Sequence, residues 1–196
     1  MEVVKADLYR LASCSSPVHL CPSAWVVAGA LAAPHFLYAF IWFKPDRWQR
    51  LFCGTKAVDA FAFFGALGKV LQFTVVGLWL SCQLPAGLCL DLRAVGLLQW
   101  LAALALFGYG QSLNAGIFRA IGHVGVYYGF KLGHEVPWVK GWPFDTVSHP
   151  QYVGSVLSVW AIVALLWGQV ASPALLVLAG YWTTLYVITG LQEDRT

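Results

Sequence analysis

Long runs of apolar residues constrain this chain more than any other feature of its sequence. Five such segments lie at about 22–43, 58–80, 94–121, 150–167 and 173–189. A helix needs about 20 apolar residues to cross a hydrocarbon core roughly 30 Å thick, so these lengths predict membrane-spanning helices. Charged residues make up 11% of the chain, against roughly 25% in soluble domains. We therefore expect an all-α, polytopic integral membrane helical bundle of four or five hydrophobic helices.

The rest of the composition narrows the class further. Five apolar segments in 196 residues leave room for short loops only, which predicts a single membrane-embedded domain over residues 1–196 with its polar motifs at about 94–194. The formal charge of +3 is small, and the basic residues flank apolar segments, so nucleic acid is not an expected partner. The first twenty residues lack the pattern of a cleaved signal peptide.

The cysteines and histidines predict no metal site. Their spacing does not pair histidine with cysteine or carboxylate as a metal ligand set requires. The cysteines are also scattered along the chain, which gives no indication of a disulfide framework. They are Cys14, Cys21, Cys53, Cys82 and Cys89.

Two apolar segments contain residues that are unusual inside a membrane. Pro34 and His35 interrupt the first segment, so a kinked or partly interfacial helix is an alternative to a straight span. Lys69 lies near the centre of the second segment, where a charge is expensive enough to suggest function. A long lysine stem can also reach the interface, and these two interpretations of Lys69 carry equal weight.

Lysine and arginine residues predict the orientation, because cytosolic loops carry the excess of positive charge. If all five segments cross, the first loop, the long polar loop at about 122–149 and the C-terminus share one side. That side collects Lys44, Arg47, Arg50, Lys56, Arg119, Lys131, Lys140 and Arg195. The other side has only Lys5, Arg10 and Arg93. The polar motifs should therefore converge near the cytosolic face.

Three polar features are candidates for chemistry. Gly108-Tyr109-Gly110 exposes backbone within an apolar helix, either to a ligand or to a neighbouring helix. His149-Pro150 begins the fourth segment, where free N–H groups could receive an anion or simply mark a helix boundary. Glu193-Asp194 follows the last helix, either as acceptors for a ribose or amino group or as a solvated tail.

An ordered set of motifs over about 111–194 resembles the phospholipid methyltransferase family, and within it the small plant and algal phosphatidyl-N-methylethanolamine N-methyltransferases. The motifs are Gly125-Val126-Tyr127-Tyr128-Gly129, Pro137-Trp138-Val139, Trp142-Pro143-Phe144 and His149-Pro150-Gln151-Tyr152-Val153-Gly154-Ser155. The resemblance implies a multi-pass enzyme of the endoplasmic reticulum membrane. It would transfer methyl groups from S-adenosylmethionine to phosphatidyl-N-methylethanolamine and its dimethyl form, giving phosphatidylcholine. The sequence leaves open whether phosphatidylethanolamine itself is also a substrate.

The resemblance also implies residue roles. The family assigns a G-x-G in a membrane helix and a C-terminal acidic pair to the cofactor, and these fall on Gly108, Tyr109 and Gly110 and on Glu193 and Asp194.

The chemistry adds a requirement for a base. A lipid amine has a pKa near 10, so at pH 7 only about one head group in a thousand carries the lone pair that attacks a methyl group. His149 and Glu193 are the first and second candidates to accept its proton, ahead of His134 and Glu135. The residues expected to contact the substrate are Tyr127, Tyr128, Lys131 and Tyr152, with Trp138 and Trp142 as further aromatic walls.

Other functions share parts of this pattern. Carboxyl methyltransferases of prenylated cysteine resemble the chain around His-Pro-x-Tyr and the acidic C-terminus, but their substrate is an anion that needs no proton acceptor. Membrane sterol reductases have a similar C-terminal core and would use a nicotinamide cofactor. A catalytically silent lipid-binding or scaffold subunit would keep its role when Glu193 or His149 is changed.

Overall fold

The regular secondary structure of this chain is helical throughout the residues described by the computed structural model, which are 20–52, 56–84, 91–137 and 139–194. The predictions made for residues 1–19, for Cys53, for Cys89, for Trp138 and for Arg195 lie outside these ranges. The all-α prediction is confirmed. The helices are α1 Ala24–Phe43, α2 Pro45–Leu51, α3 Ala57–Gln83, α4 Leu97–Val126, α5 Pro150–Leu166 and α6 Ser172–Asp194.

Five of these helices are the predicted hydrophobic segments. Helices α1, α3, α4 and α6 have 20, 27, 30 and 23 residues and are long and apolar enough to cross a membrane. Helix α5 is shorter, with 17 residues, or roughly 25 Å at 1.5 Å per residue. The chain is therefore a multi-pass membrane bundle.

Helix α2 was not predicted from the sequence. Its proline is at the helix start, Asp46 is in its first turn and Arg50 is in its last turn, which is the charge order that favours a helix. Trp48 is buried, and its indole Nε1 donates a hydrogen bond of 2.9 Å to the Ala57 carbonyl. The charged cluster that ends the first apolar segment thus forms a short helix folded against α3.

The five hydrophobic helices pack in the order α3, α1, α6, α5, α4, which places α6 in the middle between α1 and α5. Helix α1 continues through Pro34, and the proline ring is buried against α3. A methyl group at Gly68 would lie 2.8 Å from Pro34 Cγ, so only glycine permits this approach. Pro34 therefore serves as a packing surface inside a continuous helix that is long and apolar enough to cross a membrane.

Polar side chains join α1, α3 and α6 inside the bundle. Lys69 donates a hydrogen bond to the Tyr186 hydroxyl, and its ammonium lies 5.0 Å from the centroid of that ring. Gln72 Nε2 donates a bond of 2.7 Å to the Leu31 carbonyl. Because a lysine in hydrocarbon needs a partner, the pairing with Tyr186 explains how Lys69 is tolerated at this depth.

One expectation about cysteines is corrected. Cys21 and Cys82 form a disulfide with Cα atoms 5.9 Å apart, although 61 residues separate them in the sequence. Their spacing gave no sign of this pair because antiparallel packing of α1 and α3 brings the N-terminal end of one helix to the C-terminal end of the other. The disulfide clamps the ends of α1 and α3 that lie opposite α2.

Helix α4 changes direction near its end. Gly122 has a φ of 65°, a backbone conformation that residues other than glycine rarely adopt. It interrupts the helix one residue after the predicted end of the third segment. A further turn follows and carries Gly125 and Val126 to the wall of a cavity. The segment 127–149 then connects α4 to α5 across the same end of the bundle.

Candidate active site

A cavity of about 470 Å³ opens at the end of the bundle where α1 and α6 finish and α5 begins. Side chains from α1, α4, α5, α6 and the connecting segment line it. Much of the wall is aromatic or aliphatic. The polar part is concentrated on one side and consists of Ser148, His149, Gln151, Tyr152, Glu193 and Asp194, with Tyr128 beside them. A largely apolar wall with a few converging polar groups is typical of a small-molecule site.

Glu193 is the centre of the polar side. Its Oε1 accepts hydrogen bonds from the hydroxyls of Tyr128 and Tyr152. The same two hydroxyl oxygens lie 2.9 Å from each other. The Glu193 side chain is 14% exposed. A nearly buried carboxylate is thus held by two phenol donors that come from different parts of the chain.

This arrangement of three oxygens can take up one more proton. Each phenol carries a single hydrogen, and three close contacts join Tyr128, Tyr152 and Glu193. When Glu193 is ionised, the two phenol hydrogens fill two of these contacts. A protonated Glu193 would supply the third hydrogen. The triangle therefore accommodates a proton on the carboxyl group without losing a contact.

His149 connects the two C-terminal carboxylates. Its Nε2 lies 3.0 Å from Asp194 Oδ1, and its Nδ1 lies 3.7 Å from Glu193 Oε2. A neutral imidazole that donates from Nε2 to Asp194 leaves a lone pair on Nδ1 facing Glu193. A proton released nearby could therefore be accepted either by Nδ1 or by Oε2. Asp194, whose side chain is 58% exposed, orients the imidazole from the open side.

The local sequence explains how these side chains meet. His149 precedes Pro150, the first residue of α5, so it is fixed at the helix entrance. On α6, Gly190 gives the imidazole room, because a methyl group there would lie 3.3 Å from His149 Cδ2. The rings of His149 and Tyr152 also stack with centroids 5.7 Å apart.

Contacts deeper in the bundle fix the rotation of α6. The hydroxyl oxygen of Thr189, one turn before Glu193, accepts a hydrogen bond of 2.8 Å from His35 Nδ1 on α1. Thr189 donates its own hydroxyl hydrogen to the Leu185 carbonyl, so the imidazole must be the donor in this pair. Tyr186, two turns before Glu193, accepts a hydrogen bond from Lys69. Because residues at spacings of 3, 4 and 7 share a helix face, these contacts turn Glu193 toward the cavity.

Tyr128 has a strained backbone and a buried hydroxyl. Its φ is 52°, which is uncommon for a residue other than glycine. Burial, and next the charge of Glu193, raise the pKa of Tyr128 well above the usual range of a phenol. Tyr128 therefore remains a hydrogen-bond donor to Glu193 at any physiological pH.

The structure brings together five of the residues singled out from the sequence. They line the cavity: Tyr128, His149, Tyr152, Glu193 and Asp194. Two predicted substrate residues lie just outside it. Tyr127 faces α3, with its ring centroid 5.5 Å from that of Phe61. The Lys131 ammonium lies 4.2 Å from the ring centroid of Trp42. Of the four candidate bases, only His149 and Glu193 line the cavity.

The predicted cofactor motif on α4 lies deeper than the cavity wall. A methyl group at Gly110 would lie 2.7 Å from the Gly154 carbonyl oxygen, so Gly110 is a point of close contact between α4 and α5. No protein atom lies within 4 Å of the corresponding position at Gly108. The ring centroids of Tyr109 and Trp142 are 6.2 Å apart, which links the motif to the connecting segment. A cofactor role for these three residues stays a prediction.

Sequence reasoning missed three aromatic residues of the cavity wall, Trp42, Phe130 and Phe144. Trp42 lies near the end of α1, where the sequence offers only the general signal of an aromatic residue at a membrane interface. Phe130 directly follows the Gly-Val-Tyr-Tyr-Gly motif, and Phe144 closes the Trp-Pro-Phe motif. Their position within or directly after these motifs was the signal that could have identified the two phenylalanines as residues of the cavity wall.

Comparison with known proteins assigns the chain to a family. A family model described as phospholipid methyltransferase matches residues 98–195, half of the chain. The chain belongs to the phospholipid methyltransferase family. It is also 32% identical over 144 residues to phosphatidyl-N-methylethanolamine N-methyltransferase of Arabidopsis thaliana, covering 69% of this chain and 79% of that protein. No solved structure matches.

Membership of a methyltransferase family implies a methyl donor, and the cavity suits one of nucleoside type. Its volume of about 470 Å³ is within the range of roughly 300 to 1,000 Å³ for small-molecule sites. Two carboxylates at its edge can accept hydrogen bonds from hydroxyl or amino groups, and the aromatic wall suits a flat base or a cation. The residues that line the cavity therefore fit a methyl donor of nucleoside type.

Proposed function

We propose that this chain uses S-adenosylmethionine to methylate phosphatidyl-N-methylethanolamine and phosphatidyl-N,N-dimethylethanolamine to phosphatidylcholine, and that it also accepts phosphatidylethanolamine. The observation that carries the proposal is the group formed by His149 and Glu193 at the wall of a membrane-end cavity. Family membership and the name of the Arabidopsis thaliana relative support the lipid class.

The charge of the site supports an amine substrate. The two carboxylates of Glu193 and Asp194 attract a lipid ammonium and disfavour the anion that a carboxyl methyltransferase must bind. An ammonium must also lose a proton before its nitrogen can attack, and His149 with Glu193 can accept one. A carboxylate substrate has no proton to lose before methylation and would not need this proton acceptor.

Each residue has a distinct part in the proposed reaction. S-adenosylmethionine would supply the activated methyl group when bound. Oε2 of Glu193 or Nδ1 of His149 would accept the ammonium proton. Tyr128 and Tyr152 would hold Glu193 in place through hydrogen bonds before and after proton uptake. Positioning should dominate, because charge passes from sulfur to nitrogen with little new charge formed.

The cofactor and the lipid would use different parts of the cavity. Asp194 and the open part of the Glu193 carboxylate group would accept hydrogen bonds from the ribose or amino group of the cofactor. Gly108, Tyr109 and Gly110 are kept as proposed contacts on α4 from the family resemblance. Lys131, half-buried at the edge of the cavity, would pair with the lipid phosphate.

The assay of the proposed function uses purified protein in detergent with radiolabelled S-adenosylmethionine. The mono- and dimethylated lipids, phosphatidylethanolamine and a prenylcysteine analogue are tested as separate substrates. We expect label in phosphatidylcholine from both methylated lipids. If only the prenylcysteine analogue were labelled, the substrate would be a prenylcysteine carboxylate and not a lipid amine. Failure to bind S-adenosylmethionine would contradict the proposal altogether.

We propose the endoplasmic reticulum membrane as the location, with the cavity at the cytosolic face. The Cys21–Cys82 disulfide supports this orientation because disulfides form in oxidising compartments such as the lumen. Helix α1 separates the disulfide from Trp42 at the cavity by about its full length of 20 residues, roughly 30 Å. Basic residues around α2 also favour a cytosolic position for the cavity end.

Maleimide labelling in sealed microsomes tests this orientation. In a variant without the three other cysteines, Cys21 and Cys82 should react with a membrane-impermeant maleimide only after both reduction and permeabilisation. A matched variant carrying Asp46→Cys as its only cysteine should react in intact microsomes, because Asp46 is exposed on α2. Labelling of reduced Cys21 in sealed vesicles would reverse the orientation.

A further inference from the structure

Trp42 shares the cavity with the two carboxylates of Glu193 and Asp194. It belongs to α1, outside residues 98–195 that match the family model. Its side chain is buried and lines the cavity. The ring meets Tyr128 edge to face with centroids 5.2 Å apart, and it meets Phe130 at 5.7 Å. Three aromatic rings from two distant parts of the chain therefore form one wall.

A cation of the chain itself already contacts the Trp42 ring from just outside the cavity. The Lys131 ammonium lies 4.2 Å from the Trp42 ring centroid, within the distance of about 6 Å at which an aromatic face attracts a positive charge. A primary ammonium is the same group that an ethanolamine lipid carries. The Trp42 ring therefore attracts a primary ammonium, and the lipid ammonium would take the place of the Lys131 ammonium when Lys131 pairs with the phosphate.

Trp42 lies at the membrane depth that is expected for a lipid head group. Trp42 is the second-last residue of the apolar helix α1, and the charged helix α2 begins at Pro45. This is the depth at which head groups meet hydrocarbon. The Tyr128 ring contacts Trp42, and its hydroxyl contacts Glu193. A lipid nitrogen bound at this wall would therefore be separated from Glu193, the proton acceptor, by about the length of the Tyr128 side-chain phenol.

We propose that Trp42 binds the methylated ammonium of the lipid and makes α1 a determinant of which methylation state the enzyme prefers. The inference rests on the proposed N-methylation. Aromatic faces suit methylated ammonium groups, as in the aromatic cages that bind choline and methyl-lysine. The contribution of Trp42 should therefore grow with each methyl group. Lys131, which would pair with the phosphate two carbons away from the nitrogen, should contribute equally to all three lipids.

The test compares KM values for phosphatidylethanolamine and its mono- and dimethyl derivatives in the Trp42→Leu enzyme. We expect KM for the dimethyl lipid to rise about 2- to 30-fold, with smaller increases for the less methylated lipids and an unchanged Kd for S-adenosylmethionine. Inhibition by short-chain phosphatidylcholine should weaken in parallel. Trp42→Phe, which keeps an aromatic face, should give an intermediate effect and serves if the leucine variant does not fold.

Two further variants serve as controls. Trp182→Leu changes a tryptophan of similar burial on α6 that faces the other half of the bundle, and it should leave the ratio of KM values unchanged. Lys131→Met should raise KM for all three lipids by the same factor. If the wild-type enzyme methylates the lipids but Trp42→Leu and Trp42→Phe shift all KM values equally, the inference is overturned while the proposed function stands.

Discussion

Replacing Glu193 by glutamine should lower kcat for lipid methylation by about 10²- to 10⁴-fold, the usual range for loss of a general base. The amide oxygen of glutamine can still accept the hydroxyl hydrogens of Tyr128 and Tyr152, so the wall should keep its shape. The glutamine side chain cannot take a proton from the ammonium, which leaves only His149 as an acceptor. Initial rates at saturating S-adenosylmethionine, together with the thermal midpoint in detergent, separate the chemical loss from a folding defect.

Asp194→Asn is the matched control for Glu193→Gln. It removes the adjacent charge and alters the partner of His149 Nε2, but it leaves the Glu193 triangle intact. We expect a smaller loss of kcat, of about tenfold, because His149 would be less well oriented. His149→Ala and Glu193→Ala provide the opposite check. Near-normal turnover in both alanine variants at saturating cofactor would show that the proton acceptor lies elsewhere.

Gly110→Ala should destabilise the fold by about 1 to 3 kcal/mol, the usual cost of overpacking. The added methyl group would lie 2.7 Å from the Gly154 carbonyl oxygen, and backbone cannot move aside as a flexible side chain can. Helices α4 and α5 would be forced apart along their contact. A lower thermal midpoint and a lower yield of folded protein are the expected measurements. An unchanged midpoint would contradict close packing at this position.

Gly108→Ala is the matched control and also tests the cofactor prediction. No protein atom lies within 4 Å of the added methyl group, so the thermal midpoint should stay at the wild-type value. Any weaker binding of S-adenosylmethionine in this variant would then come from direct contact with the ligand. Wild-type affinity in Gly108→Ala would remove Gly108 from the cofactor site.

The hydrophobic helices could be read from the sequence because each spanning helix satisfies its own backbone hydrogen bonds in lipid. The predicted segments and the observed helices differ by only a few residues at most ends, as for 173–189 against α6 Ser172–Asp194. Helix α2 was missed since it is short, charged and stabilised by burial of Trp48 against the start of α3. That contact depends on packing rather than on local sequence.

The site was predictable in part. His149, Glu193 and Asp194 were named from a motif and a terminal acidic pair, and the structure brings them to one cavity wall. Trp42 could not be chosen from among 10 tryptophans, because an interfacial aromatic residue and a cavity wall look alike in sequence. Likewise, Gly108 and Gly110 look equivalent in the sequence but have different surroundings in the fold.

By itself, the sequence determined the membrane class, the approximate ends of the helices, the family and the polar residues available for chemistry. These follow from hydrophobic length and from motifs that are local along the chain. Only the tertiary structure decided which residues meet. Antiparallel packing joined Cys21 to Cys82, the rotation of α6 turned Glu193 toward Tyr128, and the end of α1 brought Trp42 to the same cavity. Such contacts depend on helix order and rotation, which hydrophobic length does not encode.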